Sequence, residues 1–375
     1  MGYVYYNDTT LRDGEQAAGV VFSPEEKRRI VHLLSKSGID QIEVGTPAMG
    51  KDEQEVIRSI VEMDLTVPLS TWNRALIHDI DATLSTGVKI AHISIPTSDI
   101  QIQTKFGFPR EKVFTMAQKV IDYAQRHGLQ VSIGLEDASR TDTEFIVFLI
   151  QNLYKYGIRR FRYADTVSIL EPQTTINRMN LITKQIPTEV ELEIHCHNDF
   201  GLATANTLAA LSSGVKWAST TIIGLGERAG NAAMEEVVMG SRHLYHGIDN
   251  IKATNFPVLA DFVSKASSRS LSESKPVVGS LVFSHESGIH VDGLLKNPMT
   301  YQSFDPINVG REHQFITGKH SGNKAIRYLL ESEGILLNEK KQQELLYGVR
   351  KMANNKKRAL TSGEIREIIE QLIYL

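Results

Sequence analysis

Short runs rich in β-branched and apolar residues alternate along the chain with longer runs whose apolar positions recur every three to four residues. The short runs lie at 4–8, 41–45, 67–72, 89–96, 129–136, 160–165, 191–198 and 217–224, and predict strands. The longer ones lie at 24–37, 51–63, 74–85, 110–126, 142–156, 172–184 and 202–213, and predict amphipathic helices. Ser23, Pro24 and Glu26 make a helix start, with a cap, a first-turn proline and a capping-box acid. Gly38, Gly87, Gly128, Gly157 and Gly214 each follow a helical run, where left-handed caps belong. Strands alternating with helices imply a parallel sheet. Eight of them within residues 4–224 suit a (β/α)8 TIM barrel, which takes roughly 250 residues. A doubly wound open sheet would place a glycine-rich turn after its first strand, and residues 9–12 hold no glycine.

The pattern weakens after about residue 265. Residues 264–274, SKASSRSLSES, read as a linker or an exposed helix, and 275–320 carry no clear period. Residues 321–333, 338–353 and 362–375 look helical again. The expected α/β organisation is a barrel over 1–265, then a linker and smaller, mainly helical C-terminal subdomains over 266–375. The formal charge of −3 gives no electrostatic case for nucleic acid or membrane as a partner. The one cysteine, Cys196, rules out an internal disulfide. No apolar stretch nears the roughly 20 residues of a membrane helix, and the N-terminus lacks a signal-peptide pattern. A soluble, cytoplasmic protein is expected.

In a barrel the chemistry gathers at the C-terminal ends of the strands. Here the first strand ends in Asp8 and runs into Arg12, Asp13 and Gln16. The fifth ends in Glu136 and Asp137, with Arg140 close behind, and the sixth in Asp165 and Thr166. The seventh carries His195, Cys196, His197, Asn198 and Asp199, and the eighth leads into GLGERAGN at 224–231. Side chains alternate along a strand, so His195 and His197 share a face and Cys196 takes the other, as a small buried hydrophobe. On its own, such a pair reads equally as two hydrogen-bonded core histidines. Oxygens from Asp13 and Asn231 at neighbouring strand ends make a metal shell the stronger reading. Mixed nitrogen and oxygen donors suit Mg2+, Mn2+ or Zn2+, and the lack of thiolates argues against a structural zinc. Arg12 and Asp13 read either as a surface ion pair or as an oxyanion-binding guanidinium beside a metal ligand. Three lookalikes are set aside: the i, i+5 histidines of 285–290, the GKHS at 318–321 without its upstream glycine, and the 224–230 glycines, which fit a backbone-approach loop better than a dinucleotide fingerprint.

LRDGEQ at 11–16, HCHND at 195–199, GLGERAGN at 224–231 and SGIH at 287–290 together resemble the enzymes that condense acyl-CoA with 2-oxo acids, the family of 2-isopropylmalate, citramalate and homocitrate synthases. The opening NDTTLRDGEQAAGVVFS and the chain length resemble its homocitrate branch in nitrogen-fixing organisms. The resemblance implies metal ligation by Asp13, His195, His197 and Asn231. It implies Arg12 on the enolate and ketone oxygens, Thr166 on the first carboxylate of the oxo acid, and Gln16 at the border of that pocket. Glu136 and His290 match the proton-transfer pair, with Tyr301 a further catalytic candidate, and His290 is expected from the partner chain of a homodimer. The implied substrates are acetyl-CoA and a 2-oxo acid. Lysine-pathway relatives place a histidine after the third strand and an arginine on the fifth, where this chain has Trp72 and Ile133-Gly134-Leu135. Asn73, Arg74, His92 and Arg140 remain as polar groups near that pocket, and Gly134 leaves room. The expected oxo acid is 2-oxoglutarate, giving homocitrate for the nitrogenase iron–molybdenum cofactor, with 2-oxoisovalerate as runner-up. A barrel acyl-CoA lyase is the alternative class, and the SGIH segment argues for a synthase.

Overall fold

The computed structural model describes residues 1–374 and divides into two compact units. The first holds Met1–Leu271 with Pro276–Val278, and the second Ser272–Lys275 with the chain from Gly279 onward.

Eight parallel strands close the first unit into a barrel: β1 Tyr5–Asp8, β2 Gln41–Glu43, β3 Leu69–Arg74, β4 Ile90–Pro96, β5 Gln130–Glu136, β6 Arg160–Asp165, β7 Glu191–Cys196 and β8 Trp217–Thr220. The ring closes between β1 and β8, with Asp8 in register with Thr220. Helices α1 Pro24–Lys36, α2 Lys51–Val61, α3 Ile77–Thr86, α4 Asp99–Phe106, α5 Glu111–Arg126, α6 Thr143–Tyr154, α7 Pro172–Thr183, α8 Ala203–Ser212, α9 Met234–Tyr245 and α10 Phe256–Ala266 complete this unit. This is the TIM barrel that the alternation predicts.

Local chemistry explains the boundaries. The Ser23 hydroxyl accepts the Glu26 amide at 3.2 Å, and the Glu26 carboxylate accepts the Ser23 amide at 2.8 Å, so α1 starts in a full capping box. Its stripe of Ile30, Val31 and Leu34 is buried where α1 meets α2 and α10. Burying each such side chain contributes about 1.5–3 kcal/mol, and Leu34→Ala would cost about 2–5 kcal/mol. The five glycines after helical runs all adopt positive φ. Strand alternation sorts the layers: on β7, Leu192, Ile194 and Cys196 are buried on one face while Glu193 and His195 bond across the barrel interior. Burial pushes the Cys196 thiol well above its usual range.

Some boundaries differ from the sequence pattern. β3 runs on to Arg74, so α3 begins only at Ile77. β8 ends at Thr220, because Ile223 turns into the left-handed region at φ 56°. Helix α4, with a weak apolar stripe, carries little periodic signal. Among the described residues no helix is long and apolar enough to cross a membrane.

The second unit is mainly helical, with α11 Gly288–Lys296, α12 Asn323–Ser332, α13 Glu339–Lys356 and α14 Ser362–Tyr374. A parallel pair of two-residue strands, β9 Ser284–His285 and β10 Gln314–Phe315, precedes α12. Its core gathers Ile326, Leu330, Leu345, Val349, Ile365 and Ile369. Helix α11 lies in the stretch without a clear period: only Val291 and Leu294 of its nine residues are buried.

Candidate active site

At the C-terminal mouth of the barrel, β1 passes straight into a wide helical turn, Thr10–Gly14, in which the Asp13 and Gly14 amides both donate to Thr9 O. Asp8 anchors that turn by accepting the Thr10 amide and hydroxyl, each at 2.9 Å. Arg12 and Asp13 are therefore fixed and buried, rather than free as in an irregular loop. Asp13 Oδ2 lies 3.4 Å from His195 Nε2, and Asp13 Oδ1 accepts the Asn231 amide at 2.8 Å. His195 Nε2 lies 3.3 Å from His197 Nε2, so two imidazoles and a carboxylate offer ligand atoms within 4.8 Å of one another. His195 Nδ1 is held by the Ser219 hydroxyl at 3.1 Å.

The electrostatics suit a cation. Burial works against ionising Asp13, but Arg12 and the two histidines outweigh it and hold the carboxyl well below its usual range. Burial holds His195 neutral, its pKa well below the imidazole norm. The side-chain oxygen of Asn231 is buried without a partner among the described residues. The neutral His195 imidazole, the His197 ring beside it, an ionised carboxylate and an unmatched amide oxygen at one point fit a divalent ion with mixed nitrogen and oxygen donors. The 224–231 loop brings Asn231 there by close backbone approach. At Gly226 a Cβ would fall 2.1 Å from Asn231 Nδ2 and 3.2 Å from Asp13 Oδ1, and at Gly230, with φ 94°, 2.0 Å from Gly224 O.

Arg12, Asp13, His195 and His197 line a cavity of about 210 Å3, together with Gln16, Trp72, His92, Ser94, Gly134, Glu136, Arg162, Thr166 and Glu227. Thr166 Oγ accepts the Asp137 amide at 2.9 Å, which leaves its hydroxyl hydrogen to donate. Lys105 of α4 holds both oxygens of Glu136, at 2.8 and 2.7 Å. Two predicted substrate residues do not reach the cavity. Asn73 follows inward-facing Trp72 on β3 and so faces outward, where its amide bonds Thr71 and Thr83. Arg140 is bound to Asp137 in the turn after β5. Arg74, for the same reason of local pairing, is committed to Asp79 at the surface. His290 and Tyr301 belong to the second unit, where their ring centroids lie 4.2 Å apart and both are exposed.

A buried charge network beneath the cavity escaped the sequence reading. Glu43 contacts Arg12 Nε and accepts Arg162 Nη2 at 2.7 Å. Arg162 Nε donates to Glu193 at 2.8 Å, and Arg160 lies 3.4 Å from Glu193. Burial opposes ionisation of Glu43, yet Arg12 and Arg162 hold its pKa well below the usual range. The signal was present as alternation: Arg160 and Arg162 on β6, then Glu191, Glu193 and His195 on β7 with His197 just past its end, each recur every second residue.

Residues 3–263 match the HMGL-like family model, and residues 277–357 match the homocitrate synthase post-HMGL domain-like model. The chain is 45% identical to 2-isopropylmalate synthase 2 of Caldanaerobacter subterraneus subsp. tengcongensis over 99% of this chain and 96% of that one. It is 44% identical to homocitrate synthase 1 of Nostoc sp. over 100% and 99%. The HMG-CoA lyase of Brucella melitensis shares the barrel fold, with a TM-score of 0.64 at 18% identity over 72% of this chain and all of that one. The chain therefore belongs to the HMGL-like family of barrel enzymes, within its branch of acyl-transferring 2-isopropylmalate and homocitrate synthases.

Proposed function

We propose that this enzyme condenses acetyl-CoA with 2-oxoglutarate and hydrolyses the thioester, releasing homocitrate and CoA. The observation that carries this reading is the convergence of Asp13, His195 and His197 beside Arg12 and Thr166 in one cavity. A divalent ion, Mg2+ or Mn2+ with Zn2+ as a further candidate, would be held by Asp13, His195, His197 and the Asn231 oxygen, and would polarise the ketone of the oxo acid. Thr166 donates its hydroxyl to the first carboxylate, and Gln16 borders it. His290, aided by Glu136, takes the proton from the acetyl methyl, and Tyr301 stands beside His290. The enolate carbon attacks the ketone carbon, and the Arg12 guanidinium faces the oxygen that gains charge. Lys105 leaves Glu136 when that carboxylate acts. Water then cleaves the thioester, which draws the condensation to completion.

The homocitrate relatives support this choice of oxo acid, and the polar cavity floor disfavours the branched apolar tail of 2-oxoisovalerate. We place the enzyme in the cytoplasm as a homodimer whose second units complete the partner's sites, with nitrogenase cofactor assembly as the destination of the product. The test is thiol release from acetyl-CoA by the metal-loaded enzyme across 2-oxoglutarate, 2-oxoisovalerate and pyruvate. Turnover chiefly with 2-oxoglutarate, giving homocitrate by mass, is expected. Preference for a monocarboxylic acid overturns the choice of substrate, and no release with any acid overturns the synthase reading.

A further inference from the structure

A second cavity, of about 460 Å3, opens at the opposite, N-terminal end of the barrel. Gln41, Ile90, Gln130, Arg160, Glu191 and Trp217 line it, the first residues of β2, β4, β5, β6, β7 and β8. Alternation brings their side chains inward, as Arg160 stands two residues before Arg162 and Glu191 two before Glu193. None of them touches the candidate active-site cavity.

Arg160 is the unusual member. Its side chain is 12% exposed, and its guanidinium carbon sits 4.2 Å from the centre of the Trp217 ring. Nε lies 3.4 Å from Glu193 Oε2 without forming a hydrogen bond, and Nε and Nη2 have no hydrogen-bond partner among the described residues. The other oxygen of Glu193 accepts Arg162 Nε at 2.8 Å. The two arginines of β6 therefore differ. Burial opposes the charge of Arg162, but Glu193 and Glu43 outweigh it and raise its pKa above the guanidinium norm. Burial lowers the pKa of Arg160, and Glu193 does not fully offset that. A guanidinium does not shed its proton near neutral pH, so an anion is what would relieve the buried charge.

The surroundings favour one. Arg159 also lines the cavity, steadied by Nη1 donating to Tyr154 O and Ile158 O at 3.0 and 3.1 Å and by stacking 4.1 Å from the Tyr154 ring. Glu191 faces the cavity too, but its Oε2 accepts Trp217 Nε1 at 2.8 Å and its Oε1 lies 3.6 Å from Lys216. Arg159, Arg160 and Lys216 thus stand against Glu191 and a share of Glu193, and the site is net positive. Its volume suits a small metabolite.

We propose that this cavity binds a small oxyanionic metabolite, held by its carboxylate or phosphate group between Arg160 and Arg159 beside the Trp217 ring. The site is separate from the condensing reaction and does not rest on it.

The two tryptophans make the test selective, since Trp72 lines the active-site cavity and Trp217 this one. Full-length Trp72→Phe enzyme, whose emission comes from Trp217 alone, is titrated with inorganic phosphate, with malonate, and with potassium chloride at matched ionic strength. A saturable change with phosphate or malonate that chloride does not reproduce is expected. Response to phosphate alone names a phosphate ligand, response to malonate alone a carboxylate, and response to both the shared oxyanion. Losing a charged hydrogen bond should weaken that binding by about 10- to 150-fold in Arg160→Met, with partial recovery in Arg160→Lys. If Arg160→Met does not fold, Arg159→Met at the exposed position decides, and should weaken binding in the same direction. A change no larger than that with chloride, or equal affinity in the arginine variants, overturns the site.

Discussion

Glu43 is the hinge of the buried charge network, so replacing it by Gln tests whether that network is truly desolvated. Its side chain is fully buried and holds two guanidiniums, Arg12 at the cavity mouth and Arg162 in the floor. Glutamine keeps the size but turns a neutral amide on two cations, one of its ends a donor facing donors. Arg162 keeps Glu193, and Arg12 keeps Asp13, so the loss is one carboxylate rather than all pairing. Breaking a buried pair on one side costs about 3–5 kcal/mol, which in a barrel of this size lowers Tm by about 6–20 °C. Both tryptophans, Trp72 and Trp217, lie in the barrel unit, so tryptophan fluorescence during urea or thermal unfolding follows that unit alone. Adding Arg162→Met should cost less than the sum of the single changes, because the guanidinium no longer lacks its partner. A loss below about 1 kcal/mol, the range of solvated surface pairs, would refute the reasoning.

Replacing His195 or His197 by Ala should strip bound divalent metal from the purified enzyme, and unchanged metal by elemental analysis would remove both from the ligand set. His290→Ala should abolish deuterium exchange at the acetyl-CoA methyl while oxo-acid binding by calorimetry persists; retained exchange would end its role as base. Mixed Asp13→Ala and His290→Ala chains should regain activity if sites are shared across a dimer, and inactive exchanged heterodimers would place each site within one chain. Burial first, and then Arg162, hold His92 well below the imidazole norm. The unfolded chain therefore binds a proton below about pH 6.5 that the fold refuses, so wild type loses stability on acidification. Measured against His92→Leu, that loss should approach about 1.4 kcal/mol per pH unit over roughly pH 6 to 5, and a pH-independent difference would contradict it.

The barrel was legible because its signals are local: capping boxes, helix-ending glycines and short apolar runs each mark one element. The convergence of His195 and His197 beside Asp13 was legible because the two histidines are close in sequence and alternation puts them on one face. Glu43, Arg162 and Glu193 were not read, since their pairing depends on strands that meet only when the barrel closes. Asn73 misled for the opposite reason. It is polar and near a strand end, but a one-residue step beyond Trp72 turns it toward α3. Lys105 was invisible as the partner of Glu136 because α4 has little periodicity to announce it.

The burial of Cys196 has a practical consequence for anyone who measures this enzyme. It is the chain's one thiol, fully covered between β7 and the helix layer, and disfavoured as a thiolate. A disulfide reagent added to native enzyme would therefore meet only the CoA that the proposed reaction liberates, so even a single-turnover burst would be read against a silent background. When β7 parts from its helices the same sulfur becomes titratable, one per chain. The reagent that would count the proposed product in the folded enzyme then counts opened molecules in a damaged one.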